Sequence, residues 1–179
     1  MSKGINIIGG KYRGRKLNVP QSDGLRPTPN RIRETLFNWL QGYMRDINTL
    51  DLFAGSGLLS FEAMSRGAKT ITLLEKQRNV VQSLKRNALF FPDESIKIHQ
   101  CDAFQFIKTQ KQLNYQLIFI DPPFAHQLHQ KIFQLLSNKL APNTLLYIES
   151  PIAIAELPFN SKCIKSKQAG QVFYSLHEV

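Results

Sequence analysis

LDLFAGSGLLSFEAMSRG, residues 50–67, decides the fold. A short apolar run ending near Asp51 meets a turn containing Gly55 and Gly57, and an apolar, helix-compatible segment follows. Strand, tight glycine turn and helix in succession let backbone N–H groups approach a ligand closely. Gly55-Ser56-Gly57 satisfies the first half of a GxGxxG fingerprint, but Ser60 stands where the third glycine belongs. The turn alone therefore does not choose among nucleotide-like ligands.

Outward from this unit the pattern repeats. INTLDLF (47–53), KTITLLE (69–75), SIKIHQ (95–100), YQLIFID (115–121) and TLLYIE (144–149) are runs of strand length. Between them, Val80, Val81, Leu84 and Ala88, then Leu128, Ile132, Leu135 and Leu136, recur at the three- and four-residue intervals of helices that cover a sheet. Successive βα units and a mostly parallel sheet are predicted. After Pro158, CIKSK and QVFYSLHEV around QAG read as a C-terminal antiparallel hairpin that brings the sheet to seven strands. Ahead of the core, INIIGG and GRKLNV flank KYR and predict a small N-terminal β-hairpin. Thr28 is expected to cap the helix that follows, with Pro29 at its first position and Ile32, Leu36, Leu40 and Tyr43 as its docking stripe. The expected organisation is a basic extension over 1–28 and a Rossmann-like α/β domain over 29–179.

The chain has 179 residues, 42% of them hydrophobic, which suits one domain. Its 23 Lys and Arg outnumber 13 Asp and Glu, for a formal net charge of +10. The excess is uneven: residues 1–33 hold eight cations against Asp23 alone. Concentrated positive charge implies a polyanionic partner. The candidates for that contact are Lys11, Arg13, Arg15 and Lys16 on the hairpin, with Arg26, Arg31 and Arg33 after it. No apolar stretch approaches the eighteen or so residues of a membrane span, and the N-terminus carries no secretory h-region. Cys101 and Cys163 form neither a disulfide framework nor a CxxC knuckle, so a reducing cytoplasm is expected. No metal is expected, since His126 and His129 have no cysteine or paired acid nearby and read as surface or RNA-facing residues.

Asp51, Glu75, Asp102 and Asp121 each fall at or beside the C-terminal end of a predicted parallel strand, the rim where open α/β sheets bind ligands. Any one of them alone would read as a helix cap or a solvated loop acid. Together, Glu75 is placed to accept ribose hydroxyls, Asp102 an adenine amino group, and Asp51 an ammonium beside the glycine turn. Ribose, adenine and ammonium describe S-adenosylmethionine better than a dinucleotide, whose pyrophosphate Asp51 would repel.

Asp121-Pro122-Pro123-Phe124 ends the fourth run. DPPF resembles motif IV of the amino-group methyltransferases that act on adenine N6, cytosine N4 and guanine N2. The lone pair of an exocyclic amine is drawn into its ring, so acceptors that hold its hydrogens help it pyramidalise. The Asp121 carboxylate and Pro122 carbonyl suit that task, the prolines stiffen the loop, and Phe124 can stack on an extruded base. Alignment of amine, methyl and sulfur is worth roughly 7 to 11 kcal/mol, and no strong base is required because the amine can lose its proton after attack.

The strings IIGGKYRGRKL (7–17), LRPTPNRIRETLFNWL (25–40), DLFAGSG (51–57), LLSFEAMSRGA (58–68), DPPF (121–124) and AGQVFY (169–174) span nearly the whole chain. Together they resemble the bacterial small-subunit (16S) ribosomal RNA guanine-N2 methyltransferase family, the RsmD type. The resemblance implies that Asp51, Phe53, Ala54, Gly55, Ser56 and Gly57 hold the methionine part of S-adenosylmethionine. It places Glu75, with Lys76 beside it, at the ribose, Asp102 and Ala103 at the adenine, and Asp121, Pro122, Pro123 and Phe124 at the target guanine. The hairpin and the arginines from Arg26 to Arg33 engage RNA or partly close over the cofactor. Pro29-Asn30 departs from the family's more usual Thr-Asp, and Ser150-Pro151 follows Glu149 where another acid is common. A small chain with one basic face is expected to be a monomer. The rival readings are an adenine-N6 methyltransferase on DNA or RNA, a catalytically silent RNA-binding protein, and, more distantly, a nicotinamide oxidoreductase.

Overall fold

The computed structural model describes residues 4–20, 27–92, 94–123 and 126–179, the side chains of 126 and 127 excepted. Arg26 and Phe124 lie outside the described residues. In chain order the elements are β1 (Gly4–Asn6), β2 (Lys16–Asn18), α1 (Asn30–Trp39), β3 (Asn48–Asp51), α2 (Leu58–Ser65), β4 (Thr70–Glu75), α3 (Arg78–Ala88), β5 (Ser95–Gln100), α4 (Ala103–Thr109), β6 (Leu117–Ile120), α5 (His126–Leu136), β7 (Leu145–Ser150), β8 (Lys162–Ala169) and β9 (Val172–Glu178).

The large sheet runs β5-β4-β3-β6-β7-β9-β8, with five parallel strands and the β8–β9 hairpin antiparallel at one edge. From β3 the chain winds outward through β4 and β5, then returns to β6 on the other side of β3. The strand order reverses between β3 and β6, which opens a crevice at their C-terminal ends. Two apolar clusters sandwich the sheet: α1, α2 and α3 contribute Leu36, Phe61 and Leu84 to one, and α4 and α5 contribute Ile107 and Ile132 to the other. Each such fully buried Leu, Ile or Phe side chain is worth about 1.5–3 kcal/mol relative to exposure.

Gly57 has φ +75° at the N-cap of α2, and a Cβ there would meet Leu84 at 2.6 Å and Phe61 at 2.7 Å. Both the backbone conformation and the helix–helix approach require glycine. Every residue of α2 is buried, which explains its lack of an amphipathic stripe.

The N-terminal hairpin is a separate two-stranded sheet that contributes Ile7, Tyr12 and Leu17 to the α1–α2 cluster. The structure corrects three expectations about this region and one about α5. Pro29, not Thr28, occupies the N-cap of α1, and no side chain caps it, because the Thr28 hydroxyl is engaged by Glu149 instead. Tyr43 is half exposed, since α1 stops at Trp39 and the turn hands its apolar position to Met44. Arg33, taken as an RNA contact, is fully buried. His129, read as a surface residue, is buried as well, with Nε2 donating to the Glu149 carbonyl at 2.8 Å.

Candidate active site

Asp51 is the last residue of β3 and Glu75 the last of β4. Asp102 caps α4 just after β5, and Asp121 follows β6. The structure thus brings the four acids to one edge of the sheet. It adds a fifth, Glu149, the penultimate residue of β7. Because Ile120 pairs with Ile148 in the parallel ladder, the residues that follow them, Asp121 and Glu149, stand side by side.

Asp51 is 2% exposed; Ser60 donates its hydroxyl to Oδ2 at 2.8 Å and Phe53 its N–H to Oδ1 at 3.3 Å. The residue that spoils the dinucleotide fingerprint therefore orients the first acid of the site. Burial pushes the Asp51 carboxyl up to about 7 against these two bonds, with Glu75 and Glu149 adding to the rise. Glu149 is also lifted to about 7 by burial, opposed by hydroxyls of Tyr147, at 2.8 Å from Oε1, and Thr28. Asp121 reaches solvent at the cleft, yet loss of hydration and the neighbouring Glu149 and Asp51 raise its carboxyl well above the usual range. Pro122 is buried beneath it and Pro123 is exposed.

Glu75 braces the glycine turn: Oε2 accepts from Gly55 N–H at 3.1 Å and Oε1 from Gln77 N–H at 2.7 Å. Each oxygen keeps a further lone pair for a ribose hydroxyl. Asp102 caps α4 through Oδ1, which accepts from the Phe104 and Gln105 N–H groups at 3.0 and 3.2 Å. Its Oδ2 lies 3.9 Å from the exposed Lys76 ammonium. The helix-cap reading of this acid is thus right for one oxygen and leaves the other turned outward. Phe53 and Phe104 meet edge to face at 6.2 Å, flanking the buried Ala54 and Ala103 with a half-open aromatic wall suited to a purine. The rim fits S-adenosylmethionine by the chemistry of its groups, since carboxylates accept from a cation, hydroxyls and an amine but repel a pyrophosphate, and aromatic side chains pack against a purine.

The basic candidates separate. Lys11 pairs with Glu94 at 2.8 Å, the Arg15 guanidinium bonds the Phe90 carbonyl, and Lys11 N–H bonds the carbonyl of Ser65, the last residue of α2. These contacts put the hairpin tip at the N-terminal edge of the strands. The length of a six-residue strand such as β4, roughly 20 Å at about 3.3 Å per residue, separates it from the acidic rim. Arg13, Lys16 and Arg31 are exposed, whereas Arg33 sits between Glu62 at 3.4 Å, the Asn6 carbonyl at 3.1 Å and Asn30 Oδ1 at 2.6 Å. Sequence reasoning missed Glu149, Thr28 and Ser60 as site residues and Glu62 as Arg33's partner. The rule that found the other acids, a carboxylate at the end of a predicted strand, applies equally to Glu149. Among the described residues no group of His, Cys, Asp and Glu is arranged to hold a metal, and no helix is long and apolar enough to cross a membrane.

A doubly wound sheet with acids at successive strand ends and Asp-Pro-Pro at the switch between β3 and β6 defines the class I, Rossmann-like S-adenosylmethionine methyltransferases. Within that class, the family described as "Conserved hypothetical protein 95" matches residues 5–178, and the chain belongs to it. It is 43% identical over 178 residues to ribosomal RNA small subunit methyltransferase D of Escherichia coli (strain K12), covering 97% of this chain and 89% of that protein. It is 42% identical over 183 residues to the protein of the same name from Haemophilus influenzae, covering 97% and 93%. The solved structure of yhhF from Escherichia coli superposes with a TM-score of 0.89 at 43% identity, covering 98% of both chains.

Proposed function

We propose that this chain is an S-adenosylmethionine-dependent methyltransferase that modifies the exocyclic N2 amino group of a specific guanine in small-subunit (16S) ribosomal RNA. The observation that carries it is the Asp121-Pro122 corner beside the acid-rich β3–β4–β5 rim, in a chain 43% identical to a named small-subunit rRNA methyltransferase. S-adenosylmethionine, when bound, supplies the methyl group on a cationic sulfur. Glu75 would hold its ribose, Asp102 and Ala103 its adenine, and Asp51 with the 53–57 turn its amino-acid end. Asp121, once ionised, and the Pro122 carbonyl would accept the two amine hydrogens, orienting the lone pair along the line of transfer. The working species is read as a monomer in the cytoplasm.

The test is nucleoside mass spectrometry after incubating the protein and cofactor with unmethylated small subunits, their naked RNA, and DNA. N2-methylguanosine on RNA or subunits is expected. N6-methyladenine would keep the chemistry and overturn the assigned base.

The exposed hairpin cations are read as phosphate contacts. Neutralising Arg13, Arg15 and Lys16 together should flatten the log–log salt dependence of RNA binding by roughly 2 to 3 units. An unchanged slope excludes the hairpin from the interface. Since its tip stands at the opposite edge from Asp121, short oligonucleotides should be insensitive to this triple substitution while assembled subunits respond.

A further inference from the structure

Glu149 is a buried acid that the reading above does not use. It is 4% exposed, and the β6–β7 register sets it beside Asp121. Its surroundings are anionic: Asp51 from β3 and Asp121 after β6 both act electrostatically within the cluster, and Glu75 acts on Asp51. Tyr147 from its own strand and Thr28 from the segment before α1 present hydroxyls to its carboxylate, Tyr174 on β9 pairs with it in the ladder, and His129 from α5 donates Nε2–H to its backbone carbonyl. Among the described residues none of Asp51, Asp121 and Glu149 forms an ion pair. Adjacent uncompensated carboxylates cannot all ionise in a poorly hydrated site, so they retain a proton between them. Two hydroxyl donors favour the ionised form of Glu149, whereas among the described residues no donor compensates Asp121. The retained proton therefore rests mainly on Asp121, where an O–H in place of an acceptor would misdirect the target amine.

We propose that Glu149 is a positioning residue of the transfer site: it shares one proton with Asp121 before the cofactor binds, and cationic S-adenosylmethionine expels that proton, so the amine acceptor is switched on only when the methyl donor is present. The inference rests on the cofactor reading given above. The sign follows from charge: a positive sulfur stabilises the ionised carboxylate, its proton passes to the buffer, and neutral S-adenosylhomocysteine lacks the charge needed to do this.

The test is titration calorimetry of the full chain in buffers of different ionisation enthalpy, which counts protons exchanged on binding. At about pH 7 S-adenosylmethionine should release roughly half to one proton more than S-adenosylhomocysteine, and the difference should shrink as rising pH removes the shared proton before the ligand arrives. E149Q removes one negative charge, lets Asp121 ionise unaided, and should cut the difference at least about twofold. Tyr147→Phe removes a donor to ionised Glu149 and should move the release to higher pH. Equal release with both ligands, or a difference unchanged in E149Q and Tyr147→Phe, overturns the role of Glu149 while leaving the methyltransferase reading intact. No binding of either ligand overturns both.

Discussion

Asp121→Ala is expected to lower the rate of methyl transfer by on the order of 10²- to 10³-fold while S-adenosylmethionine still binds, because deleting one preorganised polar group aimed at the reacting centre costs about that much. The residue follows β6 at the switch point, whereas the glycine turn and Glu75 belong to β3 and β4. Its loss removes an acceptor from the amine without touching the Gly55–Glu75 bond that shapes the cofactor loop. Single-turnover methylation of unmethylated small subunits, read beside calorimetric binding of the cofactor, separates the two effects. Loss of cofactor affinity in proportion to rate would show that Asp121 serves the cofactor and not the amine.

Glu62→Gln is expected to be the most destabilising single substitution in the N-terminal half. Its carboxylate is fully buried and accepts from Ile8 N–H and Gly9 N–H at 2.8 Å each, from Arg66 Nε at 2.7 Å and from Arg33 Nη1 at 3.4 Å. Glu62 thereby ties the hairpin, α1 and α2 together. Replacing it strands the Arg33 guanidinium, whose pKa burial already lowers, without its counter-charge. Breaking a buried pair from one side costs about 3–5 kcal/mol. At roughly 2–4 °C per kcal/mol for a chain of this size, the melting temperature should fall by on the order of 10 °C. Arg33→Met should cost less, because Glu62 keeps Arg66 and two backbone donors, and it should leave the salt dependence of RNA binding unchanged. Thermal unfolding of both variants checks the asymmetry. Equal, small losses would mean that the ion pair contributes little and that apolar burial of Ile7, Tyr12 and Leu17 alone holds the hairpin.

The same pair shows what local pattern can and cannot settle. Arg31 and Arg33 are two residues apart on α1 and look alike in a basic segment, yet one is exposed and the other fully buried. Only the arrival of Glu62, 29 residues further along, distinguishes them. The hairpin cations were legible as a cluster, but their place at the edge opposite Asp121 follows from contacts with Ser65, Phe90 and Glu94. Thr28 was legible as a capping residue type, and its hydroxyl was taken by a strand end more than a hundred residues away.

By itself the sequence determined the alternation of strands and helices, the glycine turn, the seven-stranded sheet and the four acids on its rim. Apolar periodicity and backbone freedom are written into neighbouring residues, and parallel βα winding carries every strand end to the same edge. Only the tertiary structure decided which charges are buried and paired, that Glu149 stands against Asp121, and which way the hairpin points. Those outcomes depend on partners far apart in the chain, and the cost of burying a charge is set by whatever polar group the fold brings to meet it.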